Sequence, residues 1–229
     1  MLSREELVKY LDLANHHQSA TLEDIKSLCA DVAEYGFNSA FVSPFYVADA
    51  KAFLSGQGKV GTVISFPLGQ ETLEIKLQAS KKAITDGADE LDISLNVGFL
   101  KGHIWEETIK EMEQMVTQIR GQKKEEIIKF ILETGCLTEE EIQKASELVW
   151  RSGADFIKTS SGMGPRGASL RDVEIIKGVV GDQMKIKVAG GVDTLDETLA
   201  FIDKGAVRIG TSQAIKIIQE LEKHDQEPA

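Results

Sequence analysis

The sequence predicts a single-domain α/β protein, a closed (β/α)8 TIM barrel over residues 1–229 with an extra N-terminal helix. Three observations predict it. Short apolar runs alternate with amphipathic stretches of helical spacing, the pattern of a parallel sheet with helical crossovers. Eight such runs are present if residues 10–14 are the first. Polar or glycine residues recur at the ends of these runs: Asp12, Ser43, Asp92, Glu133, Lys158, Lys187 and Gly210. A barrel carries its reacting groups at that face. An open, doubly wound sheet is the alternative, and the recurrence at so many strand ends favours the barrel.

In chain order, Ser3 and Glu6 make a capping box for a helix over 3–11. A strand at 10–14 runs into the polar loop Asn15-His16-His17-Gln18-Ser19. Adjacent histidines point apart on a strand and no third ligand accompanies them, so a metal site is not expected. Thr21 caps a helix whose Leu22, Ile25, Leu28, Cys29 and Val32 share one face, and Gly36 stops it. The strand 40–42 follows, closed by Ser43-Pro44. The next strand spans 61–64, then the turn Phe66-Pro67-Leu68-Gly69 and a helix with Leu73, Leu77 and Ile84. The strand 90–95 leads through the turn Asn96-Val97-Gly98 to a helix with Trp105, Ile109, Met112, Val116 and Ile119, a core stripe. The strand 127–133 is followed by a Thr138/Glu141 capping box. The helix it starts carries Ile142, Ala145, Leu148 and Val149. Phe156-Ile157-Lys158 is a short buried strand whose helix begins near Ser169. The strand 186–189 ends in Gly190-Gly191 before the Thr194/Glu197 cap. The last strand, 207–210, precedes Thr211-Ser212 and a helix with Ile215, Ile218 and Leu221. The tail 222–229 is polar and expected to fray.

Composition narrows the function. A chain of 229 residues with 42% apolar and 28% charged residues can bury a substantial core. A net charge of −11 argues against a nucleic-acid or anionic-membrane surface, which needs a basic face. It leaves room for a small anionic ligand in a local basic pocket. Two cysteines form no disulfide framework, and no signal peptide or membrane-spanning run is present. A cytoplasmic protein without metal or other cofactor is expected.

The chemistry centres on Phe156-Ile157-Lys158-Thr159-Ser160-Ser161-Gly162. A lysine at a buried strand end is disfavoured as a cation, and a neutral amine can attack a carbonyl. Lys187, ending the neighbouring strand, places a second ammonium within about 5 Å, given an interstrand spacing of about 4.8 Å. Two such charges repel, so one proton is lost near neutral pH. Lys185 competes for this place, but Lys187 lies nearer the Gly-Gly turn. Asp92, across the mouth, supplies a carboxylate for proton movement. The plainer alternatives are solvated lysines and a merely neutralising aspartate. Gly190-Gly191 and Gly210-Thr211-Ser212 precede helix N-termini on the last two strands, the usual phosphate-binding position of this fold.

These segments resemble the deoxyribose-phosphate aldolase family. The resemblance rests on Phe156 to Gly162 and Lys187-Val188-Ala189-Gly190-Gly191. It extends to Gly87-Ala88-Asp89-Glu90-Leu91-Asp92, Phe66-Pro67-Leu68-Gly69, Leu132-Glu133-Thr134-Gly135 and Arg208-Ile209-Gly210-Thr211-Ser212. The resemblance implies a metal-free class I aldolase that reversibly cleaves 2-deoxyribose 5-phosphate to acetaldehyde and glyceraldehyde 3-phosphate. It implies Lys158 as the Schiff-base lysine, Lys187 as its activating neighbour and Asp92 as the proton-relay carboxylate. It also implies a homo-oligomer. Substrate and phosphate binding then fall to Asp12, Gly162, Gly190, Gly191, Gly210, Thr211 and Ser212. Several positions depart from the family pattern. Leu13-Ala14-Asn15-His16-His17-Gln18 replaces the usual continuation after Asp12. Asp193 stands where a basic residue is usual, and Arg166 is the candidate replacement cation. Gln213 and Ala214 differ from the usual small residues, and the C-terminal tyrosine of longer members is missing. A changed, unphosphorylated sugar or aldehyde substrate is therefore the second reading, and a non-catalytic sugar-phosphate-binding barrel the third.

Overall fold

In a computed structural model of the chain, residues 2–224 are described. Eight strands close into a parallel barrel in sequence order. They are β1 (Leu11–Asn15), β2 (Ser39–Val42), β3 (Lys59–Ile64), β4 (Glu90–Ser94), β5 (Ile127–Ile131), β6 (Phe156–Lys158), β7 (Lys185–Ala189) and β8 (Arg208–Thr211). The helices are α1 (Arg4–Leu7), α2 (Leu22–Tyr35), α3 (Val47–Leu54), α4 (Leu73–Thr85), α5 (Val97–Lys101), α6 (Trp105–Gln122), α7 (Glu139–Arg151), α8 (Leu170–Val180), α9 (Leu195–Asp203) and α10 (Ala214–His224). β8 pairs back to β1, with Asp12 beside Gly210, and this closes the sheet.

The caps at Ser3, Thr21, Thr138 and Thr194 form as expected, Thr21 adding a capping box with Asp24, and Ser169 forms a further box with Asp172. Each satisfies otherwise unpaired amides of a first helical turn. Two Gly-Ala-Asp turns, Gly87-Ala88-Asp89 and Gly153-Ala154-Asp155, lead into β4 and β6. Asp89 Oδ2 accepts the Val60 amide at 3.0 Å and Asp155 Oδ2 accepts the Ile128 amide at 2.8 Å. Each turn thus ties its own strand to the start of the one before.

Several boundaries differ from the expectation. The N-terminal helix is one turn, Arg4–Leu7, continued by a 3-10 turn over Val8–Tyr10, and β1 starts at Leu11. Helix α3 was not expected; Pro44 opens a 3-10 turn that delivers Val47, Ala50 and Leu54 to the core at helical spacing. The Asn96 turn is a short helix that Asn96 itself caps. β5 stops at Ile131 because Glu133 adopts a left-handed backbone at φ 57°. Residues 222–224, expected to fray, continue α10; the rest of the tail, 225–229, lies outside the described residues.

The outer core is apolar and continuous between sheet and helices, but the barrel interior is not. Phe41 fills its centre, and an added Cβ on Gly61 of the next strand would lie 2.3 Å from the Phe41 ring. The glycine therefore makes room for the ring. Around Phe41 stand buried charges: Asp12, Glu90, Asp92, Lys129, Lys158, Lys187 and Arg208.

Candidate active site

Register brings the two predicted lysines together. Lys158, the last residue of β6, is the direct partner of Lys187 on β7. Asp92 comes from β4 across the interior and lies between them. Lys158 Nζ donates to Asp92 Oδ2 at 2.9 Å. Lys187 Nζ lies 2.9 Å from the same oxygen and 2.8 Å from Asp12 Oδ2. Among the described residues the Lys187 contacts are ion pairs without hydrogen-bond alignment, and Asp12 Oδ2 accepts no hydrogen bond. The Lys187 ammonium sits instead 3.4 Å from the centre of the Phe41 ring, close over its face. Asp92 and Lys187 lie mid-strand and Asp12 near the start of β1, so the expected ring of strand ends is in fact two layers deep. Lys185, the competitor, is exposed at the opposite end of β7.

The lower layer was not read from the sequence. Lys129 Nζ donates to Glu90 Oε2 at 2.6 Å and Asp92 Oδ1 at 2.9 Å. Arg208 Nη2 donates to Glu90 Oε2 at 2.7 Å, and its Nε donates to Asp12 Oδ1 at 3.1 Å. Ser39 and Asn38 also donate to Asp12 Oδ1. A lysine inside the apolar run Ile127-Ile128-Lys129-Phe130-Ile131 was the available signal. Asp12, expected to contact substrate, is fully buried beneath Lys187 and supports it from below.

Four buried cations thus face three carboxylates. Burial acts to raise Asp92, yet Lys129, Lys158 and Lys187 hold it well below the ordinary carboxylate range. Asp12 is likewise lowered, against its burial, by Lys187, Arg208 and Lys129. Burial pushes the Lys187 amine down to about 8; Asp12 and Asp92 oppose this, and Lys129 and Lys158 add to it. The sequence leads one to expect the lowered amine at Lys158. Lys187 is the one whose shift burial fixes, and Lys158 is the one with a single protein partner among the described residues.

Both amines open into a cup of about 190 Å³ at the C-terminal face of the barrel. That is small beside the roughly 300–1,000 Å³ of drug-sized sites. Gly162, Gly190, Gly191, Gly210, Thr211 and Ser212 line it. Gly190 has φ 91°, and a Cβ there would come within 3.1 Å of Gly162 Cα, so the two loops touch through glycines. Arg166 does not join them. Its guanidinium donates to both Asp172 oxygens, at 2.6 and 2.9 Å, and to the carbonyls of Thr134 and Gly167. The first amides of α9 are also taken: Asp193 and Thr194 donate to Glu197, and Leu195 donates to Glu220. Asp193 itself lines the cup. His16, read as part of a polar loop, also forms part of its wall.

The fold and site define a barrel enzyme whose ionisable groups converge at the C-terminal face of the strands. A family model described as DeoC/LacD family aldolase matches residues 7–219, and the chain belongs to that family. It is a carbon–carbon lyase. A protein named deoxyribose-phosphate aldolase from Thermococcus kodakarensis is 43% identical over 223 residues, spanning 95% of this chain and 98% of its own. Among solved structures, one described as QR15, an aldolase, superposes with a TM-score of 0.89 at 35% identity, covering 96% of this chain and 97% of that one. A deoxyribose phosphate aldolase from Aeropyrum pernix, described as tetrameric, superposes with a TM-score of 0.90 at 27% identity, covering 97% and 93%. Among the described residues no helix is long and apolar enough to cross a membrane.

Proposed function

We propose that the protein reversibly cleaves 2-deoxy-D-ribose 5-phosphate to acetaldehyde and D-glyceraldehyde 3-phosphate through a Schiff base on Lys158. The observation that carries this reading is the meeting of two strand-paired lysines at one oxygen of Asp92 on the wall of the cup. Lys158, held by one hydrogen bond, attacks the aldehyde carbon of the open-chain sugar, and water leaves as the iminium forms. Removal of the proton from the hydroxyl two carbons away lets the intervening carbon–carbon bond break. Its electron pair moves to the iminium nitrogen, giving an enamine and free glyceraldehyde 3-phosphate. Protonation of the enamine carbon and hydrolysis release acetaldehyde and restore Lys158. Lys187, with an amine pushed down to about 8, exchanges protons near neutral pH, and Asp92 stays ionised between the two amines. The named relatives act on deoxyribose phosphate or are called aldolases, which supports the same substrate here. A homo-oligomer, like the Aeropyrum pernix tetramer, is part of this reading.

Asp193 and the engagement of Arg166 favour a second reading, the same chemistry on an unphosphorylated sugar or aldehyde. A carboxylate near a phosphate repels it by roughly 1–4 kcal/mol at about 4 Å, depending on the effective dielectric. One experiment tests both. The protein is turned over with 2-deoxyribose 5-phosphate and with 2-deoxyribose, and each mixture is reduced with borohydride. Reduced adduct at Lys158, with much higher kcat/KM for the phosphate, is expected. Adduct with a preference for the unphosphorylated sugar selects the second reading. No adduct with either sugar or with acetaldehyde overturns both.

A further inference from the structure

The cup wall holds one polar ring that the reaction above does not use. His16 follows β1 directly, and its half-buried side chain lines the cup beside Lys158 and Lys187. Two aromatic rings locate it. Its imidazole lies 5.4 Å from the Phe66 ring, and Lys158 Nζ lies 5.7 Å from that same ring. It meets Phe41 edge-on at 6.5 Å, and Phe41 carries Lys187 against its face. The imidazole therefore shares one aromatic neighbour with each amine.

Among the described residues nothing hydrogen-bonds its buried Nδ1. Such an orphan is rare, because a buried polar atom without a partner loses the hydrogen bonds it had in water. Burial and the charge of Lys158 push the ring down to about 3, Asp92 opposing and Lys187 adding to the effect. The ring is thus neutral at pH 7. It is a poor proton carrier there, but it keeps one donor and one acceptor nitrogen. A two-carbon donor held on Lys158 brings no hydroxyl to it. The hydrogen-bonding group must come from the other fragment.

We propose that His16 is a specificity-determining residue that hydrogen-bonds the hydroxyl next to the reacting carbonyl of the acceptor aldehyde. This rests on the Schiff-base aldolase reading and names the part of the substrate that the altered loop after Asp12 selects. Removing that bond should cost the hydroxylated acceptor about tenfold and leave a hydrocarbon acceptor of the same size alone.

The test runs the reaction in the bond-forming direction, with acetaldehyde as donor and glycolaldehyde or propanal as acceptor. Wild type, His16→Leu and His16→Gln are compared by kcat/KM, and each is trapped with acetaldehyde and borohydride. The expected result is an adduct at Lys158 in all three. His16→Leu should lower the glycolaldehyde-to-propanal ratio about tenfold by slowing glycolaldehyde, and His16→Gln should restore part of it. An unchanged ratio, an equal loss for both acceptors, or loss of the adduct in both variants alone overturns the assignment of His16. Absence of the adduct in wild type overturns the aldolase reading together with it.

Discussion

Lys129 and Lys187 are the same residue type, both buried in the barrel interior, and both touch Asp92 and Phe41. Their amines shift in opposite directions. Around Lys129, burial works to lower the amine, but Asp92, Glu90 and Asp12 outweigh it and raise it. Around Lys187 burial wins and the amine falls to about 8. Alignment differs as well. Lys129 makes two short hydrogen bonds to carboxylates. Lys187 lies as near to two carboxylates, but off the hydrogen-bonding directions and against a ring. Hydrogen bonding to the charged form favours that form. The lower-layer cations Lys129 and Arg208 are thus hydrogen-bonded to carboxylates, whereas Lys187 in the upper layer is held close to two carboxylates without such a bond among the described residues. The Lys129 and Lys187 amines differ in how each charge is bonded, while residue type and burial are shared.

The sharpest way to break this comparison is Lys187→Leu. Above about pH 8 Lys187 has lost its proton and can accept one from its neighbours; below it Lys187 stays charged. In the wild type, kcat/KM should therefore rise with pH and level off above about 8. The variant removes the neighbouring positive charge and the proton carrier together. At neutral pH its kcat/KM should fall by about 10²–10⁴, and the limb near pH 8 should disappear. A variant that keeps a limb near pH 8 would show that Lys187 is not the titrating neighbour.

Lys129→Met probes the lower layer and should report on stability. It leaves Glu90 and Asp92 buried without their principal cation, and breaking a buried pair costs about 3–5 kcal/mol. The pH dependence carries the sign. In the wild type both carboxyls are lowered, so their stabilisation is complete above the ordinary carboxylate range and is lost as pH falls below it. In the variant burial is less fully offset, with Arg208 still facing Glu90, and Lys158 and Lys187 still facing Asp92. Both carboxyls therefore rise from their wild-type positions, and neutral pH is where the folded state suffers most. The Tm deficit of the variant should be largest near pH 7 and shrink as the pH is lowered toward 4. A deficit that does not change with pH would mean that the loss is one of packing alone.

The upper layer was legible because its residues sit at strand ends beside turn chemistry: a lysine before Thr-Ser-Ser-Gly, and a lysine before Gly-Gly. The lower layer was hidden because Lys129 and Arg208 open or interrupt apolar runs, where a single charged residue reads as solvent-facing. Only barrel closure, which sets β8 against β1, brings Arg208 to Asp12 across 196 positions of sequence. Helix α3 was missed because Pro44 and two aromatic residues masked a three-residue apolar stripe. Arg166 was misplaced for a related reason. Its proximity to the lysine strand in sequence suggested the cup, but Asp172, six residues on and fixed as a cap of α8, draws it away.

The smallest effect tests what joins the two layers. Phe41 lies between Lys129, 4.8 Å from its centre, and Lys187, 3.4 Å away, and it occupies the space that Gly61 leaves open. In Gly61→Ala the new methyl would lie 2.3 Å from the ring, and real carbon atoms do not approach so closely. The ring must move, because the alternative is distortion of a central strand of the barrel. Overpacking of this kind costs about 1–3 kcal/mol, enough to lower Tm by several degrees without unfolding the protein. If the ring also supports Lys187, the displaced amine gains or loses alignment with Asp12 and Asp92, and the limb of the pH–rate profile shifts. Lys129, held by its own hydrogen bonds, should keep its carboxylates, so the Tm deficit should not depend on pH as it does in Lys129→Met. A Tm drop with an unmoved pH limb would confine Phe41 to filling space and would separate the two layers.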